Sequence, residues 1–190
     1  MVLIEPFVAA FGLALISEIA DKTQLVILGL ALKYRAPWKV FAGAIGAHAF
    51  MDGIAIALGA FFGFTLPSNV IKIFVGTLFI ALGLWALTKL YIKKSEEKDK
   101  KTGSKTPLTA SFLTVLVSEF GDKTQIASGL LAAKYLVPIS IFIGTVLALA
   151  LVISLNVFVG SKVAKKIPAK TLKITTAMLF IIFGIVTIIF

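Results

Sequence analysis

Ser17–Gln24 reads SEIADKTQ, and Ser118–Gln125 reads SEFGDKTQ. Each octapeptide sits in the middle of a long apolar run, the first from Phe7 to Leu32 and the second from Leu108 to Ala133. An ionisable side chain in the centre of a bilayer costs about 2.5 to 3.5 kcal/mol on insertion scales, so such groups normally face a polar cavity and pair with something. Two acids and a lysine in each run therefore need a reason to be there.

The chain of 190 residues is 59% hydrophobic and only 15% charged, with a mean hydropathy of +1.03. A soluble globular domain does not have this composition, and an integral membrane protein does. Six runs are long enough to cross about 30 Å of hydrocarbon as helices. They are Phe7–Leu32, Trp38–Phe62, Val70–Ile92, Leu108–Ala133, Val137–Gly160 and Thr171–Phe190. The expected fold is all-α with six transmembrane helices.

Fifteen of the 19 basic residues fall in the first, third and fifth connections, whereas only Lys72 and Lys134 lie on the opposite side. Basic loops stay cytoplasmic, so both termini are expected outside the plasma (inner) membrane of a prokaryotic cell. The net charge of +10 is accounted for by topology and anionic lipid headgroups, and nucleic acid is not an expected partner. The first residues carry Glu5 and no basic segment, so no cleaved signal peptide is expected. The chain has no cysteine, which excludes disulfides and thiolate metal sites and leaves oxygen donors or the single histidine.

The two octapeptides are 101 positions apart, and the same offset aligns nearly the whole chain without a gap. Pro6 falls on Pro107, Tyr34 on Tyr135, Pro37 on Pro138, Gly43 on Gly144 and Gly83 on Gly184. The sequence is a tandem duplication. The units are residues 1–92 and 107–190, joined by the charged cytoplasmic linker 93–106. Each unit carries three spans, so the second must enter the membrane from the opposite side. Inverted repeats of this kind recur in secondary transporters, with the substrate held near midplane between the halves.

Glu18 and Glu119 each lie 11 residues into their runs, roughly 16 Å along a helix and close to the bilayer centre. If the helices are continuous, Glu18 and Asp21 share a face, Lys22 flanks it, Ser17 and Gln24 lie on the other flank, and Thr23 points toward the back. Joining both motifs brings Glu18, Asp21, Glu119 and Asp122 together with Lys22 and Lys123, a formal charge of −2. One divalent cation or two protons neutralise that charge, and these are the species that an exchanger swaps. Hard oxygen donors favour Ca²⁺, Mn²⁺ or Mg²⁺, and Mn²⁺ and Ca²⁺ are the better candidates.

The motif resembles the duplicated E-x-G-D-K-[ST] signature of a family of small six-span cation exchangers. Its members include Golgi, chloroplast and bacterial manganese and calcium transporters, distantly grouped with the lysine-exporter superfamily. The resemblance implies movement of Mn²⁺ and/or Ca²⁺ against protons, with the acids of both motifs as the ion site. It covers both repeats. Ala20 stands where the signature has glycine, whereas Gly121 matches, so bending of the first motif is left open.

Among the neighbours, Gln24 and Gln125 are expected to complete the ion's shell. Lys22 and Lys123 are expected to be structural partners of the acids, with replacement of the absent cation as the alternative. The hydroxyls of Ser17, Ser118, Thr23 and Thr124 are expected mainly to pack, supporting the site. His48 and Asp52 lie four residues apart on the second span, and Leu149 and Ile153 occupy the matching positions. They read either as a one-sided proton path or as a local hydrogen-bonded pair. The glycines of the second span read as close helix packing, and Asn156 as a packing bond.

No enzyme activity and no resident cofactor are expected, the metal being cargo. An intramembrane aspartyl protease is disfavoured because a lysine follows each aspartate, whereas that chemistry needs two carboxyls sharing a proton. Export of a small cationic solute such as an amino acid remains the alternative transport function, and a passive channel would leak rather than couple. Expected partners are the divalent ion, protons and the lipid bilayer, with monomer or homodimer left open.

Overall fold

The computed structural model describes residues 3–19, 21–91, 106–159 and 169–189, and not the side chains of residues 22, 25, 89–91, 169–173 and 176. Most of the linker expected at 93–106, Ala20, and the basic cluster Lys162, Lys165 and Lys166 lie outside the described residues. Among the described residues every regular element is a helix. They are α1 (Ile4–Glu18), α2 (Lys22–Tyr34), α3 (Pro37–Thr65), α4 (Ser68–Tyr91), α5 (Pro107–Glu119), α6 (Lys123–Tyr135), α7 (Pro138–Ser154) and α8 (Ala169–Ile189). A short π-helical turn, Leu155–Val159, extends α7.

The runs Phe7–Leu32 and Leu108–Ala133 are not continuous helices. Each is two, broken inside the motif after its glutamate. The cause is local in the second motif. Gly121 takes φ +74°, a conformation that glycine adopts without strain. Asp122 then acts as N-cap of α6, its carboxylate accepting the backbone N–H of Thr124 at 3.2 Å. In the first motif Asp21 takes the same part more loosely, accepting from the N–H of Thr23 at 3.5 Å. The face shared by Glu18 and Asp21 on a continuous helix is therefore replaced by a bend with one acid on each side of it.

The other boundaries follow from proline and backbone sterics. Pro37, Pro107 and Pro138 sit in the first turns of α3, α5 and α7, where a missing N–H removes no helical bond. Arg35 (φ 50°) and Leu136 (φ 56°) end α2 and α6 in the left-handed region, and they are 101 residues apart.

Packing centres on α3, which lies against α5, α6 and α7; α1 lies along α7, and α4 pairs with α8. Small residues make the approaches close. A Cβ at Gly43 would strike the Leu108 carbonyl on α5, and one at Gly144 would strike the Phe7 carbonyl on α1, a second contact pair related by 101 residues. Gly59 lies against the Gly129 backbone and Gly63 against Ala133, which seats α6 on α3. Gly76 and Gly184 meet between α4 and α8. These glycines serve helix packing, as their spacing implies.

Three helices, Pro37–Thr65, Ser68–Thr88 and Pro138–Phe158, are long and apolar enough to cross a membrane. Large apolar side chains such as Phe61, Phe64, Ile73 and Ile139 are more than half exposed, which suits contact with lipid and not with water. The chain is a helical membrane protein.

Candidate functional site

The two breaks face each other. Glu18 ends α1, and Asp21 and Asp122 lie in the turns that open α2 and α6. One carboxylate oxygen from each of these three acids lies within 4.8 Å of the other two. Glu18 is fully buried, and the two aspartates are partly exposed. Three hard oxygens this close match the ligand spacing of a small divalent cation, whose metal–oxygen distances are about 2.0 to 2.6 Å.

The motifs also bond across to one another. Lys123 on α6 reaches Asp21 Oδ2 at 2.6 Å and lies 3.6 Å from Asp122 Oδ2. Lys123 is thus an ionic partner of acids from both motifs. The side chain of Lys22 lies outside the described residues. The Thr124 hydroxyl donates to Glu18 Oε1 at 2.6 Å, and a side-chain hydrogen bond joins Thr23 to Glu119. Each threonine therefore supports the glutamate of the opposite motif. The sequence predicts mainly packing, in support of the site, for these hydroxyls, and on a continuous helix places Thr23 toward the back. The bend turns both inward.

Glu119 is buried beside this group but contributes no oxygen to the set of three. Glu18 Oε2 is buried without a hydrogen-bond partner among the described residues, so an acceptor is left open.

The glutamines are not equivalent. Gln125 braces the second break: its Nε2 donates to the Glu119 carbonyl at 2.8 Å and approaches Met51 Sδ at 3.3 Å, while its Oε1 accepts from the Gly121 N–H at 3.1 Å. Gln24 accepts from Asn156 Nδ2 at 2.6 Å, with its own Nε2 buried and unpartnered among the described residues. Asn156 sits in the π-helical turn, which re-aims side chains at the end of α7. Sequence reasoning had treated Asn156 as a lone packing group, and no local pattern ties it to Gln24.

The serines part company as well. Ser17 is buried, whereas Ser118 is exposed. His48 and Asp52 are both buried on α3. His48 Nδ1 is 4.0 Å from Asp52 Oδ2, beyond hydrogen-bond reach, so the local hydrogen-bonded pair is not formed. Asp52 Oδ1 instead accepts from Ser128 on α6 at 3.3 Å.

Comparison with known proteins gives this geometry a context. The family model described as "Divalent cation/proton antiporter GDT1" matches residues 6–94 and 107–190. A protein of Vibrio cholerae named "Putative manganese exporter" is 31% identical over 176 residues, covering 92% of this chain and 86% of its own. "GDT1-like protein sll0615" of Synechocystis is also 31% identical, over 95% of each chain. "GDT1-like protein 5" of Arabidopsis thaliana is 28% identical over 96% of this chain and 95% of its own. No solved structure matches. Matched in both halves, across almost all of its length, the chain belongs to the GDT1 family of divalent cation/proton antiporters, and it is a transporter of divalent cations and not an enzyme.

Proposed function

We propose that the protein exchanges Mn²⁺ or Ca²⁺ for protons, with Glu18, Asp21 and Asp122 as the primary ion ligands and Glu119 joining them when the ion is bound. The observation that carries this reading is the convergence of three carboxylate oxygens from both motifs at paired helix breaks. Half-helices that end at midplane leave N–H and C=O groups unsatisfied, and transporters use such ends to hold ions. Oxygen donors favour Mn²⁺ and Ca²⁺ over softer ions, and the Vibrio relative's name points to manganese.

The cycle follows from charge. Protons and the metal compete for the same oxygens, because a carboxyl must ionise to ligate. The formal −2 of the joined motifs suggests two protons for one metal. In this reading the chain makes six spans as two inverted three-helix units joined by the 93–106 linker. One unit rocks against the other to open the site to each side in turn. Both termini lie outside the plasma membrane, and inward protons drive metal export.

Purified protein in vesicles with a trapped metal-sensing dye tests this. Under an imposed pH difference, Mn²⁺ or Ca²⁺ should accumulate against its own gradient, and Mg²⁺ should do so more slowly. Flux that runs only down the metal gradient and ignores the pH difference would refute exchange.

A further inference from the structure

Beside Glu18, between α1, α6 and α7, lies a cavity of about 10 Å³ lined by Ser17, Thr124, Ser128 and Thr145 together with apolar residues such as Ala10 and Leu131. Ser17 is 7% and Thr145 1% exposed, and neither hydroxyl has a hydrogen-bond partner among the described residues. A cavity of this size holds a single water, which needs two to four polar partners. Four hydroxyls supply them, because each can both donate and accept. A cation is not the natural occupant, since no carboxylate lines the space.

The cavity lies between two hydrogen bonds already described. On one side Thr124 donates to Glu18. On the other the Ser128 hydroxyl lies 3.3 Å from Asp52 Oδ1 and 3.0 Å from the Gln125 carbonyl, between which its one proton can turn, with His48 one helical turn from Asp52. Asp52 Oδ2 and His48 Nε2 are both buried and unpartnered among the described residues. The charged groups of neighbouring elements whose fields reach this pair are Asp122 and Asp21.

This polar track joins the two halves on one side only. At the positions 101 residues away, Ala44 replaces Thr145, Ile27 replaces Ser128, Ile153 replaces Asp52 and Leu149 replaces His48. All eight residues are buried. Four buried polar groups, two from each half, whose repeat-related counterparts are all apolar are costly without a task.

We infer that the cavity binds one water, and that Thr124, this water, Ser128 and Asp52 form a relay that carries protons between the edge of the acid cluster and the His48–Asp52 pair. The inference rests on the exchange reading above. In each step a hydroxyl or water oxygen accepts one proton and releases another, so a proton entering the track at the Thr124 hydroxyl appears on the Asp52 carboxylate with no net change between. The metal cannot follow, because the space is too small for a hydrated ion and its lining has no carboxylate to replace the lost water. Protons and cargo thus travel by different routes.

Thr145→Val keeps the shape and deletes the hydroxyl, Ser128→Ala breaks the link to Asp52, and Thr145→Ser is the conservative control. Three quantities are read: Mn²⁺ binding to detergent-purified protein, metal uptake driven by a pH difference, and metal-for-metal exchange at equal pH. Thr145→Val and Ser128→Ala should bind Mn²⁺ and exchange metal for metal within about twofold of the parent. Their proton-driven uptake should fall about tenfold or more, the scale on which positioned proton transfer contributes. Thr145→Ser should retain uptake.

Unchanged proton-driven uptake in both variants would overturn the relay. So would a parallel loss of binding, metal exchange and uptake, which would mark the cavity as part of the ion site. Failure of the exchange reading looks different, because the unsubstituted protein would then ignore the pH difference while still exchanging metal.

Discussion

Glu18→Gln should move metal-free stability and metal affinity in opposite directions. Glu18 is fully buried, accepts one short bond from Thr124 and leaves Oε2 without a partner among the described residues. An ionised carboxylate at this depth costs at least about 2.5 kcal/mol, which the amide avoids. The Thr124 bond survives on the amide carbonyl but loses its charge assistance, a loss of about 1 kcal/mol. Glu119, Asp21 and Asp122 repel an ionised Glu18 and Lys123 attracts it, so the charges add to the gain rather than reverse it. The net gain is about 1.5 kcal/mol, or about 3 to 6 °C in Tm for a chain of this size. Saturating metal at a hundred times Kd should raise the parent's Tm by about 5 to 10 °C, and the variant's hardly at all. The assay is thermal unfolding in detergent at alkaline pH, followed by the fluorescence of Trp38 and Trp85, with and without Ca²⁺. The stability gain is greatest where the parent carboxyl is ionised and disappears at acidic pH once it is protonated. A metal-free variant that melts below the parent at alkaline pH, or that keeps the full metal shift, would refute the reasoning.

Other substitutions test the frame around the acids. Lys123→Met removes the cation shared by Asp21 and Asp122, and should lower metal-free stability by about 1 to 3 kcal/mol at these partly exposed groups, with Mn²⁺ restoring much of it. A thermal melt with and without metal reads both effects. Gly59→Val drives a side chain into the Gly129 backbone and should cost about 1 to 3 kcal/mol. Gly46→Ala, whose Cβ would meet only the Phe112 ring at 3.6 Å, should change stability by under about 1 kcal/mol in the same melt. Leu136→Gly relieves a left-handed residue and should raise the melting temperature, with a gain of about 0.5 to 1 kcal/mol.

The acids, the lysines, the duplication and the family resemblance were all readable from SEIADKTQ and SEFGDKTQ. The break within each motif was not, because a hydropathy window averages over the bend and reports one long run. Aspartate followed by Lys-Thr-Gln does carry an N-cap signal, and Gly121 a turn signal, so the bend was written locally but outweighed by the apolar flanks. The crossed threonines depend on that bend and became visible only with it. Contacts such as Gln24 with Asn156, 132 residues apart, have no local signature. Nor does the divergence of Ser17 from Ser118, which follows from how each half packs.

On the proposed ion site, Asp122 carries two duties on one side chain. Its Oδ2 accepts the Thr124 amide that starts α6 and faces Lys123, so cargo captured by this carboxylate would also draw on the bonds that begin a helix. Ion loading and the tautness of the first turn of α6 are thereby tied together. Asparagine begins helices as well as aspartate does but brings no negative charge, whereas alanine supplies neither. A comparison of those two replacements separates the electrostatic duty from the architectural one, a division that Glu18, which starts no helix, does not offer.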